Sequence, residues 1–198
     1  VSMLAAGGAA AESPAVAKVL QLLAESGVFR MGGVLVGTQA FVAYGNMLGV
    51  RFDQQGLRTQ DVDLAQDRAI GIALSEETAP VHVERTLTDS GLGFFPVPSL
   101  DPRQASTSYK VRGREMRVDF LTPLLGRESA DPVFLPSLGV SAHPLRFLDY
   151  LIEQPAQAPG PVGMQSSTPA AQPRDGGEQR RRGRVDHALA TLDDHPLA

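Results

Sequence analysis

Three aspartates are the residues whose types and spacing could support chemistry. Asp61 and Asp63 stand at positions i and i+2 of one short apolar segment, and Asp119 stands in a second such segment. Side chains two apart on a strand point to the same face, so Asp61 and Asp63 can jointly hold a hard divalent cation. Asp119 could bind the same cation from a neighbouring strand. Mg²⁺ is usually held by one or two carboxylates plus substrate phosphates. The three acids therefore predict a magnesium site that acts on a nucleoside triphosphate.

Predicted strands and a helix would position the first two acids. The apolar run 34–36 indicates a short buried strand, and the small residues Gly37 and Thr38 follow it as a turn that opens a helix over 39–48. A second strand over 59–64 would carry the Asp-x-Asp pair. A strand that buries one face has its register fixed by that face, so both acids must point away from the core.

The third acid belongs to a predicted β-hairpin. Residues 108–112 and 115–121 alternate between polar and apolar types around Gly113 and Arg114, a pattern typical of two strands joined by a tight turn. The alternation places Arg117 on the same face as the third acid. Arginine suits bidentate contact with phosphate oxygens. Arg117 would therefore hold a triphosphate, or alternatively form modest ion pairs on a solvated hairpin face.

The order of these segments resembles the nucleotidyltransferase superfamily related to DNA polymerase β. The motif of that superfamily is a hydrophobic strand ending in Gly-Gly or Gly-Ser, a helix, an Asp-x-Asp strand and a later single Asp on a strand. Thr38 stands where Ser or Gly is more frequent, and it keeps the hydroxyl. The chain is similar to an uncharacterised bacterial branch of the superfamily over residues 16–152, in particular at 32–41, 44–49, 59–63, 118–123 and 144–151.

The resemblance implies an α+β fold with a mixed α/β sheet and a definite reaction. A nucleoside monophosphate would pass from an NTP to the hydroxyl of an acceptor, which is a protein, an RNA end or a small molecule. Asp61, Asp63 and Asp119 would be the catalytic residues that hold two Mg²⁺, and the last would also help to deprotonate the acceptor. Gly37 and Thr38 would bind the nucleotide phosphates through backbone N–H and hydroxyl groups.

Each motif taken alone is weak. With 13 aspartates in 198 residues, about one Asp-x-Asp pair is expected by chance. The glycines form neither a dinucleotide-binding motif nor a P-loop, and the absence of cysteine excludes thiol catalysis, disulfides and cysteine-bound zinc. The alternative is a catalytically silent protein that uses the same fold to bind a protein partner, such as a toxin–antitoxin component, because fold alone does not decide function.

Composition indicates one domain and a tail. A hydrophobic content of 42% supports a core over 13–152. Residues 153–198 are rich in Pro, Gly and Arg, which predicts a disordered tail. A truncated or frame-shifted end of a GC-rich gene would give a similar amino-acid composition. The net charge of −4 gives the whole chain no attraction for nucleic acid. The lack of an export signal and of a membrane-spanning apolar stretch predicts a cytoplasmic protein with no membrane contact.

Overall fold

The strands of the protein form one mixed sheet. The computed structural model describes residues 13–50, 59–76, 78–127 and 129–156. Within them, seven strands form a sheet with both parallel and antiparallel neighbours. In chain order these are β1 (Val34–Val36), β2 (Asp61–Ala65), β3 (Phe94–Pro96), β4 (Ser108–Val111), β5 (Arg117–Pro123), β6 (Val133–Leu135) and β7 (Val140–Leu145).

The strand β5 lies at the centre of the sheet. On one edge it pairs in parallel with β2, and on the other it pairs first with β4, antiparallel, and then with β7, parallel. The strands β1, β3 and β6 complete the sheet as antiparallel partners of β2, β4 and β7. This mixed arrangement with flanking helices confirms the α+β class expected from the sequence.

The first helix begins and ends where its sequence predicts. Ser13 caps it by accepting a hydrogen bond from the Val16 N–H at 3.2 Å, Pro14 occupies the first turn, and Gly27 ends it with a φ of 94°. The helices of the described residues are α1 (Pro14–Ser26), α2 (Gly37–Leu48), α3 (Arg68–Ser75), α4 (Val83–Thr88) and α5 (Leu148–Ile152).

The main core lies on one face of the sheet, between β2 and β5 and the helices α1 and α4. Its members are buried apolar side chains that alternate along the strands with polar ones, and each contributes about 1.5–3 kcal/mol by burial. At its edge Tyr109 packs edge-on against Phe120, with ring centroids 5.8 Å apart. The main-core residues of these elements include Val16, Val19, Leu20, Leu23, Val62, Leu64, Val83, Leu87, Val118 and Phe120.

A smaller apolar cluster lies on the opposite face of the sheet. Leu148 and Ile152 of α5 pack there on Ala65, with Val36 and Leu121 partly buried beside them. Residue parity explains this cluster, because positions 61, 63 and 65 of β2 share one face. Among the described residues, this cluster covers the second face near Ala65. The end of the same face that carries Asp61 and Asp63 stays accessible.

Two predictions of local structure were wrong. The sequence of residues 75–90 favours a single helix, yet α3 ends at Ser75 and α4 begins at Val83. Pro80 lies between them, and proline removes a helical hydrogen bond and clashes with the preceding turn. The glycines and prolines of residues 91–98 favour a loop around Phe94 and Phe95, but these two residues begin the strand β3.

The packing of α2 also differs from what its sequence predicts, which is that Phe41, Val42, Met47 and Leu48 all pack in the core. Val42 is buried, whereas Phe41, Met47 and Leu48 are 46%, 42% and 73% exposed. The helical spacing of apolar residues alone therefore does not determine which side of a helix packs against the core.

Two expectations concern the ends of the domain and the membrane. No helix among the described residues is both long and apolar enough to cross a bilayer. The predicted tail lies almost wholly in 157–198, outside the described residues, so it stays a prediction together with the domain boundary at 152.

Candidate active site

Two rows of side chains cross the accessible face of the sheet, each running from strand to strand. We call Val36, Asp63, Asp119 and Ser108 the carboxylate row; each is the register partner of the next on β1, β2, β5 and β4. The adjacent row, which we call the cation row, contains Asp61, Arg117, Lys110 and Phe95 on β2, β5, β4 and β3. The predicted proximity of Asp119 to the Asp-x-Asp pair is therefore confirmed by the parallel pairing of β2 with β5.

Asp119 has partners of its own. The Arg117 Nε donates to Asp119 Oδ1 at 2.7 Å, the Ser108 hydroxyl donates to the same oxygen, and Arg117 Nη2 donates to Ser108 Oγ at 2.9 Å. The ion-paired side chains are 39% and 19% exposed, so water screens the pair only in part. The sequence predicted that Arg117 and Asp119 share a face, but it gave no sign that they bind each other or that Ser108 joins them.

Asp63 lies against the start of α2. Gly37 has a φ of 68°, and a Cβ built on it would overlap Asp63 Oδ2. Only glycine combines this left-handed backbone with so close a carboxylate. The half-buried Thr38 follows in the first turn, where backbone N–H groups are unpaired and favour negative charge. Of the two residues predicted to bind phosphate, Gly37 thus lies directly beside Asp63 and Thr38 is the next residue of α2.

The pKa of Asp63 reflects its burial and the negative charges beside it. Burial is the main cause that raises the pKa of its carboxyl group above the ordinary value, and the charges of Asp119 and Asp61 raise it further. The Arg117 guanidinium lowers this pKa and offsets the increase only partly. The positive charge of Arg117 therefore does not fully compensate the negative charges of the carboxylate row. A bound cation would supply the missing positive charge.

Gln39 is a site residue that the sequence did not reveal. It is 2% exposed, and its Nε2 donates to the backbone carbonyls of Thr59 and Asp61 at 3.2 Å each. These bonds connect α2 to the first residue of β2 and so fix where the Asp-x-Asp strand begins. The only signal in the sequence was a polar residue two positions after Gly37, which is too common a pattern to interpret.

A cavity of about 620 Å³ opens beside the carboxylate row. Its volume lies within the range of about 300–1,000 Å³ typical of small-ligand sites. One wall is polar and contains Gly37, Asp63, Asp119, Arg117 and Ser108, whereas Asp61 and Thr38 do not line it. The other wall is formed by side chains of β5, β7 and α5 that the sequence did not assign to a site: Leu121, His143, Leu145, Leu148 and Leu151.

The three acids do not form a ready-made metal centre. Within the ranges that the structure describes, no group of three or more His, Cys, Asp or Glu side chains is arranged to hold a metal ion. Asp119 already accepts hydrogen bonds from Arg117 and Ser108, and Asp61 is exposed. The donor set nevertheless suits a hard cation, because it offers only carboxylate oxygens and has an excess of negative charge.

Comparison with known proteins identifies one family. A family model described as nucleotidyltransferase matches residues 14–166, which is over three quarters of the chain. The match begins at the first residue of α1 and includes all the strands and helices given above. No curated protein and no solved structure matched the chain in the corresponding searches.

Proposed function

The chain belongs to the nucleotidyltransferase family, and from that premise we propose that it transfers a nucleoside monophosphate from an NTP to an acceptor hydroxyl. One observation supports this proposal above the others. Asp63 and Asp119 are register partners on adjacent parallel strands, and the first turn of α2 meets Asp63 at Gly37. Two carboxylates and the turn that we propose to bind phosphate thus line one cavity.

The nucleotide has a natural orientation in this cavity. Its triphosphate would lie beside Gly37 and extend past the rim of the cavity to the start of α2, where the backbone N–H groups and the Thr38 hydroxyl would donate to phosphate oxygens. Arg117 has five N–H donors, and two are used on Asp119 and Ser108, so others remain for phosphate. The nucleoside would rest against the apolar wall that Leu145, Leu148 and Leu151 provide.

The transfer is an in-line displacement at the α-phosphorus. The acceptor oxygen forms a bond to this phosphorus while the bond to the β-phosphate oxygen breaks, and pyrophosphate leaves with the electron pair. The acceptor proton passes to the Asp119 carboxylate, whose orientation Arg117 and Ser108 fix. The protein contributes mainly position and charge, which supply most of the catalysis in phosphoryl transfer.

Magnesium fits this donor set. Asp61, Asp63 and Asp119 are the residues that would hold it. When bound, Mg²⁺ neutralises phosphate charge and stabilises the attacking and leaving oxygens. Burial and, after it, the charges of Asp119 and Asp61 raise the pKa of Asp63, and the repulsion among these carboxylates supports this assignment because an added cation would relieve it.

A catalytically silent binding protein is the second candidate, and one observation favours it. Asp119 accepts hydrogen bonds from both Arg117 and Ser108 within the protein itself. A site that had lost its chemistry would retain such an internal pair.

A thermal-shift titration separates the two candidates. We expect Mg²⁺ together with one NTP at about 100 times its Kd to stabilise the protein by about 2.7 kcal/mol, and neither alone to do so. Asp63→Asn should abolish the shift while remaining folded. An equal shift in the variant, or none in the wild type with any NTP, would rule out the transferase proposal.

A further inference from the structure

The cation row extends the accessible face beyond the cavity. From Asp61 it continues through Arg117 and Lys110 to Phe95, so it crosses three strand spacings, about 14 Å. Beyond Lys110 on the same chain segment, the Arg112 guanidinium lies over the Phe95 ring, 5.8 Å from its centroid. Two cations and an aromatic ring with its own cation thus follow one another away from the acids.

Arg117 is paired with Asp119, but the cations farther from the acids, Lys110 and Arg112, are not ion-paired among the described residues. The ion pairs among the described residues join Arg85 to Asp89 and Arg117 to Asp119, and neither Lys110 nor Arg112 belongs to one. On a chain of net charge −4, Lys110 and Arg112 therefore form a local positive patch beyond the paired Arg117. The net charge of the whole chain does not reveal this patch.

The two aromatic residues of β3 have different roles. Phe94 is 5% exposed and belongs to the main core, while Phe95 points to the opposite face and remains partly accessible. Strand alternation explains the difference. Phe95 is therefore free of the core packing that holds its neighbour, and one of its contacts is the Arg112 guanidinium.

The two sides of the acids would hold the two different substrates. Gly37 and Thr38, the proposed triphosphate site, lie on the β1 side of the acids, while Lys110 and Phe95 lie on the β4 and β3 side. Asp119 lies between them on β5. If the NTP occupies the first side, a ligand on the second side presents its hydroxyl to Asp119 as the acceptor.

We infer that the acceptor is a single-stranded nucleic-acid end. Its terminal hydroxyl reaches Asp119, its phosphates contact Lys110 and Arg112, and a base stacks on Phe95. Cationic side chains that follow the backbone, combined with aromatic rings that stack bases, are the usual means of binding single strands. The inference rests on the proposed function, because it is the transfer reaction that makes this ligand an acceptor.

Fluorescence anisotropy with the full chain tests the inference. The probes are labelled ten-nucleotide oligouridine and oligothymidine, titrated between 50 and 200 mM KCl; the pair distinguishes RNA from DNA. We expect Lys110→Glu to weaken binding about tenfold and to reduce the slope of log K against log salt by about 1. Phe95→Ala should weaken binding about tenfold with little change in this slope.

Matched controls isolate the row. Lys18→Glu reverses the only other lysine, on α1 across the sheet, and Phe134→Ala removes an aromatic residue of β6 that is 55% exposed. Both should bind the probes within twofold of the wild type. Lys110→Gln serves if the charge reversal lowers the melting temperature.

The outcomes separate this inference from the proposed function. Wild-type protein that binds both probes no more tightly than Lys110→Glu, or equal loss in Lys18→Glu, would overturn the inference. The NTP thermal shift, measured on the same samples, decides the transferase proposal independently. A shift with NTP but no oligonucleotide binding would leave the transferase standing and point to a protein or small-molecule acceptor.

Discussion

The two faces of β2 and β5 serve different purposes although their residues alternate along the same strands. Leu64 and Val118 are 2% and 0% exposed in the main core, whereas their neighbours Asp63 and Asp119 lie on the accessible face and line the cavity. Burial of apolar surface stabilises the first face, and crowded carboxylates oppose stability on the second. The comparison implies that changes one residue apart should separate folding from activity.

The largest effect is expected at the accessible face. Asp63→Asn should reduce NTP-dependent transfer at least about 1,000-fold, because the amide removes one negative charge beside Gly37. Pyrophosphate release measures the rate. Asp89→Asn, at an exposed ion pair outside the cavity, is the control and should retain full activity. A residual rate above a tenth of the wild type in Asp63→Asn would break the comparison.

The neighbouring residue should show the opposite behaviour. Leu64→Ala should lower the free energy of unfolding by about 3 kcal/mol, since it leaves a cavity in the core. The rate per folded molecule should stay within a few-fold of the wild type. Urea denaturation gives the first quantity, and a large loss of rate in fully folded protein would show that the two faces are coupled.

Gly37→Ala sharpens the comparison at the junction of the faces. Its positive φ should cost an L-residue about 1–2 kcal/mol, and its Cβ would displace the Asp63 carboxylate. Gly49→Ala is the matched control, because Gly49 has a φ of 67° and nothing within 4 Å of the added Cβ. We expect similar stability losses in both variants and a loss of nucleotide affinity only in Gly37→Ala. Equal affinities in thermal-shift titration would remove the role assigned to this contact.

Gln39→Leu should have an intermediate effect on both properties. Loss of the bonds to the carbonyls of Thr59 and Asp61 should cost about 1–3 kcal/mol, since buried acceptors are left unpaired. The displaced start of β2 should also lower the transfer rate. Unchanged hydrogen-exchange protection at the start of β2 would contradict this positioning role.

The smallest expected effect is a pH-dependent gain in stability. The folded state raises the pKa of Asp63, so the related stability is present below its ordinary value of 3.8 and is lost as pH rises through the raised value. Asp63→Asn should therefore melt at a higher temperature than the wild type at pH 7, and the difference should shrink toward pH 4. A lower melting temperature at pH 7 would show that the acids are not crowded.

The sequence predicted the elements of the site better than its surroundings. Period-two alternation placed Val118 in the core and Asp119 on the accessible face, and local turn residues placed the hairpin. These are properties of neighbouring residues. The pairing of β2 with β5 was anticipated only because a family motif requires it.

The remaining parts of the site depend on contacts between distant segments. The apolar wall needs β7 and α5 to come beside β5, and no local pattern in 140–152 indicates which strand they join. The bond between Ser108 and Asp119 depends on the side-chain conformations across the hairpin, which the residue types do not give. Gln39 likewise acts on backbone carbonyls far along the chain, so its type alone carried no signal.

The most direct test of the transfer reaction follows the two ends of the triphosphate. The protein is incubated with Mg²⁺, cell extract and each NTP labelled at either the α- or the γ-phosphate, and the label is separated by chromatography. Transfer of a nucleoside monophosphate predicts that α-label appears on an acceptor and γ-label only in pyrophosphate, with both signals lost in Asp63→Asn. Transfer of the γ-label to an acceptor, or α-label transfer that persists in Asp63→Asn, would contradict the proposed reaction.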